Sequence, residues 1–405
     1  MPEDLLIRFE GVRQPLLLAD CPDLLPVIDR VLAAWPHEIA RGGAARLAPQ
    51  AHRITLAWEA GLYRLGSPWL DAPIRHRDPV NAVCDLVVHL VHGFVAAHPT
   101  ALCLHSAAAR LGRRLIVFPN VYRGGKSLLC AHLAGLGAEV FADDVIPVRG
   151  RANHGFALGL APRLRLPLPD IVMPEFEDFV AARAGAASDR YQYLDLGPGL
   201  LAPFGASAEI AALVLLDREA GREAALEPLP RGEALRRVIA RNFARRQPAR
   251  RILERLERIV MGTPCYRLAY ADPATAARLI SARFADRPDD GAKGGRGAPA
   301  KTRRRRESAP AARGDAGGPF GPSPGVSQRR IEGELFLVNA ETDSIYHLNA
   351  LAGALWRLAG EGAGEADMID LIAAAFPGEP RRRIAGDVGG LIRGLIRRGM
   401  LARRA

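Results

Sequence analysis

Cysteine is scarce in this chain, and the cysteines present do not form pairs. Five of them, Cys21, Cys84, Cys103, Cys130 and Cys265, are scattered over 405 residues. Their number is odd and no Cys-x-x-Cys occurs. This argues against a disulfide frame and a cysteine zinc site, and it suits a reducing compartment. Long apolar runs are missing too. By eye they fall well short of the roughly 18 residues a membrane helix needs. The opening Met1-Pro2-Glu3-Asp4 lacks the basic start and long apolar core of a signal peptide. A soluble, cytoplasmic protein without membrane partners is expected.

Hydrophobic residues make up 49% of the chain, enough for a sizeable core, and the length allows two or three domains. The net charge is +11, which suggests nucleic acid until it is located. Residues 286–330 hold 11 Lys/Arg against 5 Asp/Glu, whereas residues 331–405 hold 9 against 10. The densest excess therefore lies in a Gly-, Pro-, Ala- and Arg-rich stretch that cannot build a core. Residues 286–327 read as a disordered basic tether, with Arg303-Arg304-Arg305-Arg306 a bare basic run whose plainest role is solubility. Sequence-specific nucleic acid binding is not expected.

The chain is organised around Asn120-Val121-Tyr122-Arg123-Gly124-Gly125-Lys126-Ser127. The apolar run Leu115-Ile116-Val117-Phe118 leads in as a strand, and Leu128 to Ala134 leads out with helical spacing. Strand, glycine-bearing loop, Gly-Lys-Ser and helix are the context of a phosphate-binding loop. Asn120, Gly124 and Gly125 would shape the loop. Lys126 would reach the β- and γ-phosphates, and the Ser127 hydroxyl would ligate Mg²⁺. Asn120 stands where glycine is usual, but Asn tolerates a left-handed turn. The plain alternative is an ordinary strand–turn–helix. A second short strand, Glu139 to Ala142, ends in Asp143-Asp144. Such a carboxylate pair beside a phosphate loop is where a nucleotide-hydrolysing or -transferring enzyme holds its metal and orients its nucleophile, although Asp is also a common turn residue.

These residues resemble a known family. Leu104-His105-Ser106, Leu115 to Phe118, Gly125-Lys126-Ser127 and Ala142-Asp143-Asp144 follow the order of HPr kinase/phosphorylase, and more closely of the HPr-kinase-related kinases. Thr263-Pro264-Cys265-Tyr266-Arg267-Leu268-Ala269-Tyr270 resembles the end of that region. The resemblance covers roughly residues 1 to 285. It implies an α/β P-loop domain over 101–285, preceded by a small α+β lobe over 1–100. It also implies ATP as donor, a serine hydroxyl as acceptor and His105 near the phosphates. Asp143 would orient or deprotonate the acceptor and Asp144 would hold Mg²⁺, an order that the resemblance leaves reversible. The family's further carboxylate, beside an Arg-Gly-Leu-Gly-like stretch, is missing; Ala161-Pro162-Arg163-Leu164-Arg165-Leu166 stands about there.

Elsewhere the pattern predicts strands at Leu5–Phe9, Arg53–Trp58 and Leu62–Leu65, a helix after Asp23 as N-cap, and a long amphipathic helix over 80–98. His89 and His92 on that helix read as structural rather than metal-binding. Further on come a strand at Ala211–Asp217 and helices at Glu233–Phe243 and Ala249–Met261. Residues 168–193 resist assignment and occupy the place of an acceptor-contacting flap in a kinase. From 328 to 405, strands at Arg330–Glu332, Leu335–Asn339 and Ser344–Asn349 precede helices at Ala350–Leu358, Glu365–Phe376 and Pro380–Arg398. Three strands then three helices suggest a winged-helix-like α+β domain.

This last segment resembles the PqqD family of peptide chaperones through Val338-Asn339-Ala340-Glu341-Thr342, Tyr346-His347-Leu348-Asn349, Ala354-Leu355-Trp356 and Leu395 to Leu401. The resemblance implies capture of a precursor peptide along a sheet edge against the last helix. Together the two halves read as a tethered kinase acting on a precursor peptide or an HPr-like protein, with self-association left open. The rival reading is a catalytically degenerate nucleotide-binding protein that serves as a peptide-binding module.

Overall fold

The structure, a computed structural model, describes residues 4–41, 52–119, 124–150, 153–240, 247–285 and 319–404. Alternating apolar residues build its first sheet. β1 (Leu5–Phe9), β2 (Leu16–Ala19), β3 (His37–Arg41), β4 (Ile54–Glu59), β5 (Leu62–Gly66) and β6 (Ile74–His76) lie in the order β3-β1-β2-β4-β5-β6. β4 and β5 form the expected hairpin, with Gly61 at φ 78° in the turn. α1 (Leu25–Val31) is present, but Asp23 does not cap it. Asp23 sits in a preceding 3₁₀ turn and accepts the Tyr63 hydroxyl at 2.5 Å.

α2 (Pro79–Ala97) starts from Asp78, whose Oδ1 accepts the Asn81 N–H at 2.8 Å. Its apolar stripe, Val83, Leu86, Leu90 and Phe94, is fully buried with the first sheet. The expectation that no segment reaches membrane-spanning length is corrected here. α2 has 19 residues at a mean hydropathy of 1.6 and passes by length and composition, yet most of it is buried in this core. His89 is buried in the same region, with Nδ1 2.9 Å from the Ser67 hydroxyl, and burial lowers its pKa to about 4.

The second sheet carries the glycine loop. β7 (Leu102–Leu111) runs antiparallel to β8 (Arg114–Pro119), after which come the loop and α3 (Lys126–Gly135). β9 (Glu139–Ala142) and β10 (Val145–Arg149) both pair with β7. β11 (His154–Phe156) follows, and then a smaller sheet of β12 (Arg163–Arg165), β13 (Ala184–Ala187) and β14 (Tyr191–Leu194), with α4 (Pro174–Ala182) between its strands. α4, β13 and most of β14 fall in the stretch the sequence left unassigned, residues 168–193. β15 (Ser207–Arg218) lies parallel to β8. β16 (Ala225–Pro228), α5 (Arg231–Ile239) and α6 (Ala249–Gly262) lead to β17 (Cys265–Tyr270), which is parallel to β15, and α7 (Pro273–Phe284) closes the region. α5 ends before the expected Phe243, and residues 241–246 lie outside the described ones. α3 and α7 bury Leu129, Leu133, Ala276 and Ile280 against Phe118, Val214 and Leu268 of the sheet.

The chain divides into two units. The first comprises Met1–Leu229, Arg237–Gln247 and Ile259–Arg287; the second comprises Pro230–Arg236, Pro248–Arg258 and Pro288–Ala405. The first is not split near residue 100, because α2 and strands on both sides of that point share one core.

Most of the expected tether, residues 286–318, lies outside the described residues. Order begins earlier than residue 328, however. β18 (Phe320–Pro322) pairs with a C-terminal strand, and β19 spans Val326–Ile331 rather than Arg330–Glu332. Glu332 and Gly333 form the turn, with φ of 47° and 90°. β20 (Glu334–Asn339), β21 (Ser344–Leu348), α8 (Ala350–Gly360), α9 (Glu365–Ala375) and α10 (Arg381–Arg397) follow the pattern closely, and β22 (Leu401–Arg403) is the partner of β18. The sheet order β19-β20-β21 leaves β21 at an edge. Leu335, Leu337, Leu355, Trp356, Met368, Val388, Ile392 and Leu395 form one buried apolar cluster in this segment.

Candidate functional site

Gly125 ends the loop at φ 79° and caps α3, a left-handed conformation that costs little only for glycine. A Cβ there would also lie 2.7 Å from the Tyr270 hydroxyl oxygen. That hydroxyl donates to the Gly124 carbonyl at 3.2 Å, so the end of β17 fastens the end of the loop. The sequence pattern did not single out Tyr270 for this role. Asn120, with Val121, Tyr122 and Arg123, lies outside the described residues.

Lys126 is the first residue of α3 and is buried, 8% exposed. Its ammonium lies where the helix N-terminus concentrates positive potential. Nζ is 3.4 Å from His105 Nε2. The same Nε2 is 2.6 Å from Asp144 Oδ1. One ring nitrogen cannot both donate and accept, and the short carboxylate contact calls for a proton on Nε2. His105 thus donates to Asp144, and Lys126 is their charged neighbour. Strand register explains the meeting: on β10, Val145 pairs with His105 of β7, which brings Asp144 alongside.

The two carboxylates have different surroundings. Asp143 is buried and Asp144 is half exposed, at 54% of its side chain. Asp143 Oδ2 accepts the Arg163 backbone N–H at 3.0 Å, and the Ser127 hydroxyl hydrogen-bonds the same carboxylate. Among the described residues its Oδ1 is buried with no partner. Burial raises the Asp143 pKa, and the nearby Asp144 charge adds to this against the two hydrogen bonds. Burial acts on Asp144 in the same direction, but the His105 hydrogen bond and the charges of Lys126 and Arg163 outweigh it and hold Asp144 below the usual carboxylate range. The structure therefore brings together Gly124, Gly125, Lys126, Ser127, His105 and both aspartates.

Arg163 falls within the stretch standing where the resembled family keeps a further carboxylate, and no role was expected for it. Besides its N–H to Asp143, its guanidinium contacts the Cys84 thiol and lies 4.5 Å from the Tyr191 ring centroid. Burial opposes its charge, but Tyr193, Cys84 and the two aspartates outweigh burial and hold its pKa above the ordinary value. Among the described residues no group of three or more His, Cys, Asp or Glu forms a ready-made metal cage.

The glycine geometry gives a first test. Gly125→Ala adds about 1 to 2 kcal/mol of left-handed strain and meets the Tyr270 oxygen. If the loop binds Mg-ATP, as proposed below, at least a tenfold loss of affinity is expected by calorimetry. Tyr270→Phe in the same chain should recover part of that loss, because it removes the obstructing oxygen. Full affinity in Gly125→Ala alone would show that the loop tolerates the shift.

Comparison with known proteins gives one family match. Residues 334–401 match the model of the family described as Coenzyme PQQ synthesis protein D (PqqD), which is a minor part of the chain. The C-terminal segment is thus PqqD-like. Solved structures similar over parts of the chain include the following two. TbiB1 in complex with the TbiA(beta) leader peptide is 25% identical at a TM-score of 0.20, covering 21% of this chain and 98% of its own. The Hpr(Ser) kinase/phosphatase from Coxiella burnetii is 11% identical at a TM-score of 0.24, covering 45% of this chain and 95% of its own. None of the curated proteins matches the chain.

Proposed function

We propose that the first unit transfers the terminal phosphate of ATP to a serine hydroxyl of a precursor peptide, and that the PqqD-like segment captures that peptide. The observation that carries the first half is the convergence of a helix-capping glycine, a buried lysine, a hydroxyl–carboxylate pair and a histidine–carboxylate pair at one helix N-terminus. The second half rests on the family match over 334–401 and on the position of β21 at the sheet edge among the described residues. In this reading the last segment is a winged-helix-like domain and residues 286–318 tether it, so capture raises the local acceptor concentration.

The residues fit a divalent cation. Asp143 Oδ1 is a buried, unpartnered oxygen beside the Ser127 hydroxyl, and Mg²⁺ commonly takes only one or two protein ligands together with substrate phosphates. Ser127 and Asp143 would hold it, and the bound ion would offset charge on the donor phosphates. Lys126 holds the terminal phosphates. Asp144, oriented by His105, takes the proton of the acceptor hydroxyl as its oxygen bonds to the γ-phosphorus and ADP leaves. The surroundings thus favour the reverse of the order first expected for the aspartate pair. Arg163 in place of a further carboxylate favours the rival reading, a nucleotide-binding protein without turnover.

Capture is tested on residues 319–404, which contain this apolar cluster. The isotopically labelled fragment is titrated with a precursor peptide encoded beside the gene. Amide shifts confined to β21 and α10 are expected, without nucleotide. Specific DNA binding with no response to peptide would overturn the capture half. Incubation of the full chain with labelled ATP and the same peptide tests transfer. Tight Mg-ATP binding without labelled peptide would favour the rival.

A further inference from the structure

We propose that Arg218 is a further donor-binding residue, which holds the α-phosphate of the nucleotide on the side where ADP leaves. This inference rests on the kinase reading above and adds a second cation to Lys126. β15 lies parallel to β8, and the pairing of Leu213 with Val117 carries it beyond Pro119, the last residue of β8. Arg218 ends β15 and so stands at the same end of the sheet as the N-terminus of α3. Val214 and Leu216 face the apolar cluster that holds Leu129 and Leu133 of α3, and strand alternation puts Arg218 on that face. Its register partner on β17 is Tyr270, whose hydroxyl donates to the Gly124 carbonyl. A Cβ on Gly125 would lie 3.7 Å from Arg218 Cδ, so the arginine stem passes beside the glycine that caps α3.

The guanidinium is steered but not neutralised. Its Nε donates to the Ala271 carbonyl at 3.4 Å, a long bond to a neutral group, and the residue is exposed. The acids nearest it along the strands are engaged elsewhere. Asp217 pairs with Arg237 at 2.9 Å and with Arg267 at 2.7 Å, and Glu219 lies 3.4 Å from Arg267. Asp272 caps α7 through the Ala274 and Thr275 N–H groups. None of these three pairs with Arg218 among the described residues. Position then names the anion. β8 has one flank formed by β7 and β10, which brings His105 and Asp144 together, and another formed by β15, which ends in Arg218. Phosphoryl transfer is in line, so ADP departs on the side opposite the attacking hydroxyl. With that hydroxyl at Asp144, the departing side is the β15 flank. Lys126 takes the terminal phosphates there, and the planar fork of Arg218 binds two oxygens of the α-phosphate.

The test titrates Mg-ATP, Mg-ADP and Mg-tripolyphosphate into the full chain and its Arg218→Gln variant by calorimetry. Tripolyphosphate fills the three phosphate positions without a nucleoside. The variant should bind all three roughly tenfold more weakly, the scale of a hydrogen bond to a charged group. Arg218→Lys should recover part of the loss, and its advantage over Arg218→Gln should narrow as salt is raised. A merely structural role would lower the melting temperature of the unliganded chain and would not be rescued by charge. A loss for Mg-ATP with Mg-ADP unchanged would move Arg218 to the γ-phosphate and overturn this inference. A loss for both nucleotides with tripolyphosphate unchanged would assign it to the base and overturn it too. Parental affinity for all three ligands in Arg218→Gln would overturn it while leaving the kinase reading standing. A parent chain that binds no Mg-nucleotide would sink the kinase reading and this inference with it.

Discussion

Lys126→Ala is expected to lose Mg-ATP binding by roughly a hundredfold or more, about 3 kcal/mol, the scale of a hydrogen bond to a charged group at a partly buried site. The side chain is buried, but the apolar cluster beneath the helix does not draw on it. Lys126 is the first residue of a helix, its ammonium lies by His105, and the helix's apolar contacts come from Leu129, Cys130 and Leu133. The unliganded variant should therefore melt close to the parent. Ligand linkage makes the two effects separable. On the proposed reading, Mg-ATP at a hundred times its dissociation constant would stabilise the parent by about 2.7 kcal/mol and the variant hardly at all. Calorimetric affinity and melting with and without nucleotide measure both. Equal affinity in variant and parent would remove the phosphate-loop reading, and a variant unfolded without nucleotide would show that the lysine has a structural role.

Much of the fold could be read from the sequence because its elements are strongly periodic. The α2 stripe, the β4–β5 hairpin, the strand–loop–helix and the last three helices follow directly from apolar spacing. The membrane-length reading failed on α2, because contiguous apolar runs were judged and not the mean over a helix interrupted by Asn81, Asp85 and two histidines. The β12–β14 ribbon was missed for a different reason. Its strands have three or four residues and hold arginines and tyrosines, and their partners are supplied by tertiary pairing. β18 was assigned to the tether because Pro319 to Pro324 has the composition of a linker; the pairing with β22 comes from the far end of the segment. At the candidate site, spacing singled out residues that the structure brings together, but not their surroundings. Burial of Asp143 and exposure of Asp144 depend on the register of β10 on β7, which adjacent identical letters do not reveal.

That difference makes the aspartate pair the sharpest test of mechanism. Asp144→Asn should keep Mg-ATP affinity and lose turnover by about 10²- to 10⁴-fold, the range of general-base catalysis. His105→Gln should lose turnover too, and the double variant should fall little below Asp144→Asn alone, because the two act as one unit. Asp143→Asn should behave otherwise, with weakened Mg²⁺ dependence and Mg-ATP affinity. Its pKa is raised by burial, and the cation needs the ionised carboxylate, so parental Mg²⁺ affinity should rise with pH through the Asp143 titration. In the ion-free chain the sign is opposite for stability. A carboxyl whose folded pKa is raised stabilises the fold below its unfolded pKa, and that contribution is lost as pH rises through the folded value. Asp143→Asn, neutral at every pH, should therefore melt no lower than the ion-free parent at neutral pH, and its Mg²⁺ response should be flat. Turnover, Mg²⁺ titration and melting on the same three variants decide the assignment. Loss of turnover with intact Mg²⁺ response in Asp143→Asn, together with loss of Mg²⁺ response in Asp144→Asn, would restore the opposite order.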